Sequence, residues 1–264
     1  MSGRVAIVTG AARGIGAATA RRLAGDGWSL VLVDRGADEP GLSYELARPE
    51  DLEAVAVDCG GADRTETVLA DVRDQAGLDR AVAVATDRFG GLDAAVAAAG
   101  CVAGGDPAWQ TDDDVWATMV GVNLEGVWRL ARAAVPALLA RPEPRSGRFV
   151  AVSSMGASVG LPLLSAYVAA KHGVHGLVRS LAAELGPHGI TANAVAPGST
   201  RTAMLDASAA LYGLADTDEL TAQHLLGRAL EPAEVAEAIA WLCGEASSGI
   251  TGAVVPVDAG ATAR

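Results

Sequence analysis

Short apolar runs alternate with longer amphipathic stretches along almost the whole chain. Seven runs occur, at residues 4–10, 28–34, 65–71, 92–100, 147–154, 191–198 and 252–260. Most are nearly continuous in apolar residues, which is typical of parallel strands covered on both faces. The stretches between them, such as residues 75–88 and 232–243, have the spacing of helices. This alternation predicts an α/β fold, a single doubly wound domain over residues 1–264 with a parallel sheet and helices on both faces.

Composition and charge remove several classes of protein. The chain has 264 residues, of which 50% are hydrophobic and 20% charged, so it can bury a sizeable core. The net charge of −12 argues against nucleic acid as a partner, and no Lys/Arg-rich amphipathic stretch indicates a membrane surface. The first residues lack the features of a signal peptide, and no apolar run reaches the length of a membrane span. We therefore expect a cytoplasmic protein.

Cysteine and histidine spacing does not predict a metal site. Cys59, Cys101 and Cys243 are odd in number and far apart, which indicates reduced thiols and not a disulfide framework. His172 and His175 lie three residues apart, but no carboxylate or cysteine accompanies them at ligand spacing. We therefore expect chemistry that needs no metal ion.

A glycine-rich loop, "TGAARGIG", follows the first predicted strand at once and precedes a helix. Gly10 permits the tight turn, while Gly14 and Gly16 let backbone amides and the helix N-terminus approach a pyrophosphate. Asp34 ends the second predicted strand, where a carboxylate accepts hydrogen bonds from the adenosine ribose. A carboxylate there repels a 2′-phosphate, which favours NAD over NADP as cofactor. Arg13 and Arg35 weaken this preference, because either can pair with a phosphate.

Tyr167 and Lys171 lie four residues apart in "YVAAK", on one face of a predicted helix. A lysine ammonium near a phenol lowers the pKa of the phenol, so that Tyr167 can act as a general acid or base. Ser154 stands thirteen residues earlier, at the end of a strand, where it can hydrogen-bond an alcohol or carbonyl oxygen. Asn123, in "GVNLEG", can extend a proton relay through water behind Lys171.

These motifs, in this order, resemble the short-chain dehydrogenase/reductase family from residue 4 to residue 260. The resemblance implies a Rossmann-like fold with a seven-stranded parallel sheet in the order 3-2-1-4-5-6-7. It also implies a catalytic tetrad of Asn123, Ser154, Tyr167 and Lys171. The cofactor contacts that the motifs and the resemblance together predict are Gly10, Ala12, Arg13, Gly14, Ile15, Gly16, Asp34, Arg35, Asp71, Val72, Ala98, Ala99, Gly100, Tyr167, Lys171, Pro197, Gly198, Thr200 and Thr202.

A narrower resemblance concerns residues 35–51, a Pro/Gly-punctuated insert that is long for a connection in a compact domain. Together with "AAKHGVHGLV" and "PGSTRTAMLDASAALYGL", the insert is similar to the mycofactocin-coupled subgroup of the family. That similarity implies that the insert covers NAD, with Leu42 and Tyr44 as an apolar lid, and that mycofactocin re-oxidises the bound cofactor. The alternative is a surface excursion of the chain, and the sequence leaves both open.

The substrate is predicted to be a small apolar secondary alcohol or its ketone. A substrate-covering segment is expected at residues 200–228, and an apolar pocket is suggested by Trp109, Met155, Leu161, Met204, Leu205 and Tyr212, although each of these can equally be core. The competing hypothesis is a catalytically silent NAD(H)-sensing protein, which needs the glycine loop but not the tetrad. His224 lies in the covering segment, where a structural role is favoured over substrate contact.

We also expect a homotetramer. The helix that carries Tyr167 has apolar residues on more than one face, and Gly173, Ala182 and Ala183 would let a second helix approach closely. The last predicted strand would otherwise be a bare sheet edge. The family resemblance indicates the same assembly.

Overall fold

The computed structural model describes residues 3–222 and 224–263. Its seven strands form one parallel sheet, and their order, numbered along the chain, is 3-2-1-4-5-6-7, which confirms the predicted order. The strands are β1 (Val5–Thr9), β2 (Ser29–Asp34), β3 (Thr65–Leu69), β4 (Ala94–Ala97), β5 (Arg148–Val152), β6 (Thr191–Pro197) and β7 (Val254–Val257). The order reverses direction between β1 and β4, so a crevice opens at their carboxyl ends.

Helices cover both faces of the sheet. They are α1 (Gly14–Gly25), α2 (Pro49–Asp58), α3 (Gln75–Phe89), α4 (Asp113–Val120), α5 (Gly126–Leu139), α6 (Ser165–Leu185), α7 (Ala203–Leu211) and α8 (Pro232–Cys243). Helices α1, α2 and α8 pack against one face, whereas α3, α5 and α6 pack against the other. A π-helical turn, Gly121–Glu125, joins α4 to α5.

Alternation along the central strand divides the core into two clusters. Val5 and Ile7 of β1 belong to the cluster beneath α3, α5 and α6. Ala6 and Val8 belong to the cluster beneath α1 and α8. Because successive side chains of a strand point to opposite faces, a continuous apolar run serves both layers at once.

The two predicted excursions from the strand–helix pattern differ in structure. The insert has no regular secondary structure from residue 35 to residue 48, and α2 then begins at Pro49, two residues before the predicted end of the insert. The segment 200–228 contains α7 and a short 3₁₀ turn at Thr217–Thr221. No helix in residues 3–222 and 224–263 is long and apolar enough to cross a membrane.

Candidate active site

A cleft of about 1320 Å³ lies at the carboxyl ends of the strands. It is lined by the loops that follow β1 to β6, together with α7 and part of the insert. This volume exceeds the range of roughly 300–1,000 Å³ that holds a drug-sized ligand. The cleft therefore has room for a dinucleotide and a second small molecule.

The glycine loop makes a tight turn at Gly10, as predicted, and its backbone lies close to neighbouring backbone. Gly10 has a φ of +66°, and a Cβ there would lie 2.7 Å from the Cα of Ala99. A Cβ on Gly16 would lie 2.0 Å from the carbonyl oxygen of Gly10. Any side chain at these positions would collide with backbone, so glycine is required for the loop to close. Gly14, Ile15 and Gly16, at the start of α1, line the cleft, and a helix N-terminus is a favourable place for a pyrophosphate.

Asp34 ends β2 on the wall of the cleft. One carboxylate oxygen accepts a hydrogen bond from the amide of Ala12 at 3.1 Å, and the other accepts from the amide of Gly36 at 3.4 Å. Ala12, a predicted cofactor contact, thus positions Asp34 through its amide and does not line the cleft. Each carboxylate oxygen can accept further hydrogen bonds, which suits a pair of ribose hydroxyls.

Ser154, Tyr167 and Lys171 meet at the opposite end of the cleft. Ser154 follows β5, and its Oγ accepts a hydrogen bond from the amide of Gly156 at 3.1 Å. The Nζ of Lys171 donates to the carbonyl oxygen of Val152 at 2.9 Å and lies 5.8 Å from the centre of the Tyr167 ring. Spacing on α6 therefore places the two side chains on one face of the helix, as predicted.

The protonation of this pair differs from the sequence-based expectation. Burial raises the pKa of Tyr167, and a hydrogen bond from Ser154 opposes that rise. Burial also lowers the pKa of Lys171 to about 8. The predicted lowering of the Tyr167 pKa by Lys171 is thus absent in this structure, because withdrawal from water disfavours the charged form of each group.

Asn123 lies on the π-helical turn and is fully buried behind the cleft. Its amide nitrogen donates to the carbonyl oxygens of Cys101 and Met119, both at 3.0 Å, and its Oδ1 accepts from the amide of Cys101 at 3.2 Å. The side chain is therefore committed to holding the loop after β4. That loop passes beside Lys171, since a Cβ on Gly100 would lie 3.6 Å from Nζ. The water relay behind Lys171 stays a prediction.

The structure brings most of the other predicted cofactor contacts to the same cleft. Those that line it are Arg13, Gly14, Ile15, Arg35, Asp71, Val72, Ala98, Ala99, Gly100, Pro197, Gly198, Thr200 and Thr202. Asp71 is one of these residues, and its carboxylate accepts hydrogen bonds from Arg73, including one of 2.6 Å. Although partial burial raises the pKa of Asp71, hydrogen bonds from Arg73 bring it below its ordinary value.

Glu39, in the insert, was missed from the sequence. It lines the cleft, its side chain is only 9% exposed, and it forms ion pairs with Arg35 and Arg73. The only sequence signal for Glu39 is its spacing of four residues from Arg35. That spacing predicts an ion pair only within a helix, and residues 35–48 do not form one. Tyr44 also reaches the site region, where its Oη accepts a hydrogen bond from the amide of Val102 at 3.1 Å.

Beside Tyr167 the cleft is apolar. The predicted pocket residues that line it are Met155, Leu161, Met204, Leu205 and Tyr212. Trp109 was wrongly included, because its side chain is 84% exposed and lies outside the cleft. His224 is buried and structural, as favoured, since its Nε2 accepts from the amide of Ser199 at 3.3 Å.

Metal-binding geometry is not found in the described part of the chain. No group of three His, Cys, Asp or Glu side chains in residues 3–222 and 224–263 is placed to hold a metal ion. Cys59, Cys101 and Cys243 are all buried free thiols.

Comparison with known proteins gives the same class as the geometry. A family model described as enoyl-(acyl carrier protein) reductase matches residues 10–262. An uncharacterized NAD-dependent oxidoreductase of Mycobacterium tuberculosis is 39% identical over 272 residues, which cover 99% of this chain and 96% of that protein. The chain belongs to the short-chain dehydrogenase/reductase family.

Two further relatives have more specific names. The (−)-trans-carveol dehydrogenase of Rhodococcus erythropolis is 36% identical over 277 residues, covering 100% of this chain and 99% of that protein. The crystal structure of carveol dehydrogenase from Mycobacterium avium in complex with NAD superimposes with a TM-score of 0.94. It is 34% identical in sequence and covers 100% of this chain and 99% of its own.

Proposed function

We propose that this protein is an NAD-dependent oxidoreductase that interconverts an apolar secondary alcohol and its ketone. The observation that carries the proposal is the meeting of Ser154, Tyr167 and Lys171 at one end of a dinucleotide-sized cleft, beside an apolar pocket. The relatives named as carveol dehydrogenases support an apolar cyclic alcohol as the substrate class. Asp34 at the ribose end supports NAD as cofactor.

Each residue of the cluster has a distinct task in this reaction. NAD, when bound, supplies the acceptor or donor of a hydride. Ser154 Oγ holds the substrate oxygen, and Tyr167 removes the hydroxyl proton during oxidation or returns it during reduction. The ammonium of Lys171 donates one hydrogen bond to the carbonyl oxygen of Val152, which leaves two N–H donors that would bind the nicotinamide ribose. Asn123 keeps the loop after β4 in place behind these groups.

We propose that residues 35–48 form a strap that covers bound NAD. Contacts at both ends of the cleft support this. Glu39 pairs with Arg35 and Arg73 near Asp71, Tyr44 bonds the loop after β4, and the Glu45 carbonyl accepts from Arg13 at 2.6 Å. A strap fixed in this way would hinder cofactor exchange. Bound NADH would then have to pass its hydride to a second acceptor at the site, and we propose mycofactocin as that acceptor.

We further propose that the protein is a homotetramer. Large apolar side chains are exposed on helices that cover opposite faces of the sheet, including Trp128 on α5 and Trp241 on α8. Exposed apolar surface of this kind marks contacts between proteins. Two separate contact surfaces are what a tetramer with closed two-fold symmetry needs.

The test combines retained cofactor with turnover. Protein purified without added cofactor is denatured, and the released dinucleotide is identified by mass spectrometry. Oxidation of an apolar cyclic alcohol such as carveol is then followed by the absorbance of NADH at 340 nm with added NAD, and by the absorbance change of a redox dye when the dye replaces added NAD. Wild type should reduce NAD or the dye at the expense of the alcohol, and Tyr167→Phe should not.

The outcomes separate the alternatives. Retained NAD and turnover that needs the dye would support the strap and an acceptor other than free NAD. Fast exchange and turnover with free NAD would support the oxidoreductase and contradict the strap. Binding of NAD without turnover of any apolar alcohol or ketone would support a cofactor-sensing protein and contradict the proposed reaction.

A further inference from the structure

Three arginines lie at or beside the part of the cleft that contains Asp34, and two of them, Arg13 and Arg35, line it. Arg35 follows Asp34 in the chain, Arg13 belongs to the glycine loop, and Arg73 lies next to Asp71. Guanidinium groups pair with phosphate in a two-pronged geometry, so this end of the cleft contains the groups that would attract a 2′-phosphate. Asp34 alone does not explain why NADP should be rejected.

Groups of the insert form an ion pair or a hydrogen bond with each of these arginines. Glu39 forms ion pairs with Arg35 and, at 2.5 Å, with Arg73. The guanidinium of Arg13 donates to the carbonyl of Glu45 at 2.6 Å and lies 5.6 Å from the centre of the Tyr44 ring. A guanidinium that is already paired with a carboxylate or a carbonyl has fewer donors for a phosphate.

The charges of the cluster balance only while Glu39 is present. Arg35 and Arg73 contribute two positive charges, and Glu39 and Asp71 contribute two negative charges. Without Glu39, Arg73 would still neutralise Asp71 at 2.6 Å, whereas Arg35 would keep only a contact of 3.6 Å with Asp71. One positive charge would then be free beside Asp34. Because the side chain of Glu39 is 9% exposed, solvent screens its ion pairs little.

We infer that Glu39 is a specificity-determining residue, which excludes NADP by occupying Arg35. This inference rests on the proposed NAD-dependent function. It assigns to the insert a role in cofactor choice that is separate from covering the cleft. A strap that only covers would hinder NAD and NADP alike, whereas a strap that neutralises Arg35 disfavours only the dinucleotide with the 2′-phosphate.

The experiment measures dissociation constants of NADH and NADPH by fluorescence titration, after removal of any retained cofactor. The variants are Glu39→Gln, Glu39→Ala and the double variant Glu39→Gln/Arg35→Ala. Glu45→Gln is the matched control, because it removes a carboxylate from the same insert while keeping the backbone carbonyl that binds Arg13. Circular dichroism and melting curves establish that each variant is folded.

Loss of Glu39 should lower the ratio of the NADPH to the NADH dissociation constant about tenfold, which corresponds to one added charge-assisted hydrogen bond. The double variant should return the ratio to that of wild type, and Glu45→Gln should leave it unchanged. An unchanged ratio in both folded Glu39 variants, or equal weakening of both dinucleotides, would overturn the role of Glu39. If wild type bound neither dinucleotide, the proposed function itself would fail.

Discussion

At the scale of single residues, the sequence predicted which side chains meet in the candidate site but not their charge states. The spacing of Tyr167 and Lys171 depends on helix geometry alone, which is a local property. Their pKa values depend on how completely the surrounding loops exclude water, and that is decided by tertiary packing. The same reasoning explains Glu39, whose importance arises from the folding of the insert onto Arg73, a residue 34 positions away.

Replacing Tyr167 with phenylalanine tests the assignment of the proton-transfer group. Tyr167→Phe should lower kcat at least about 10²-fold, because the only change is loss of the phenolic hydroxyl. The dissociation constant of NADH should change less than about threefold, since the ring and its packing remain. Steady-state rates and a cofactor titration check both. Turnover close to that of wild type would show that another group transfers the proton.

Lys171 should reduce the stability of the cofactor-free protein. Its pKa is lowered from 10.5 to about 8, so at pH 7 the lysine is charged in both the folded and unfolded states and the full burial penalty opposes folding. Lys171→Met should therefore raise the free energy of unfolding at pH 7 by about 1–3 kcal/mol, while abolishing activity. Denaturant unfolding at several pH values measures this difference.

The sign of the pH dependence gives a second check on Lys171. Between pH 8 and pH 10.5 the unfolded state binds more protons at this lysine than the folded state does, so the contribution of Lys171 to wild-type stability rises with pH in that window. The difference in free energy of unfolding between Lys171→Met and wild type should therefore shrink over the same pH range. Tyr167→Phe serves as the control that leaves the lysine in place. If Lys171→Met were less stable than wild type at pH 7, this would contradict the proposed penalty for burying the charged lysine.

At the scale of elements, regular structure was predictable and the insert was not. Strands such as β5 and helices such as α8 are encoded by local patterns of apolar residues, and α8 has the predicted bounds of Pro232 and Cys243. The insert is held instead by single long-range contacts, such as the 3.1 Å hydrogen bond from Val102 to Tyr44, 58 positions apart. No local periodicity records such a contact, so the lid and the surface excursion could not be distinguished from sequence.

Removing the insert tests its role as a strap. Residues 37–46 are replaced by a short Gly-Ser linker, which retains buried Ala47 and the hydrogen bond from the Arg48 amide to the Asp51 carboxylate at the start of α2. NADH dissociation, followed by stopped-flow fluorescence with excess NAD as competitor, should become at least about tenfold faster. Tyr44→Phe keeps the ring but loses the hydroxyl, so its rate of NADH dissociation should lie between those of wild type and the linker variant. Equal release rates in wild type and the linker variant would show that the insert does not retain the cofactor.

At the scale of the whole molecule, the surfaces available for assembly differ from those inferred from sequence. Gly173 packs against Leu124 within the same chain, where a Cβ would approach to 2.7 Å, and Ala182 is buried in the core. Of the three small residues, only Ala183 is exposed. The edge strand β7 contains Pro256, which lacks an amide proton and so discourages further strand pairing. Contacts between copies should therefore involve helices and not continue the sheet.

Exposed tryptophans on opposite faces of the molecule provide the test of the tetramer. Trp128 and Trp241 are each 43% exposed, on α5 and α8, which cover different faces of the sheet. Sedimentation velocity at micromolar concentration should give a tetramer for wild type. Trp128→Lys and Trp241→Lys should each give dimers, because each places a charge in one of two interfaces, and the double variant should give monomers. Val57→Lys, on the exposed side of α2, should remain tetrameric. A stable wild-type monomer would contradict the assembly and leave both indole rings facing water.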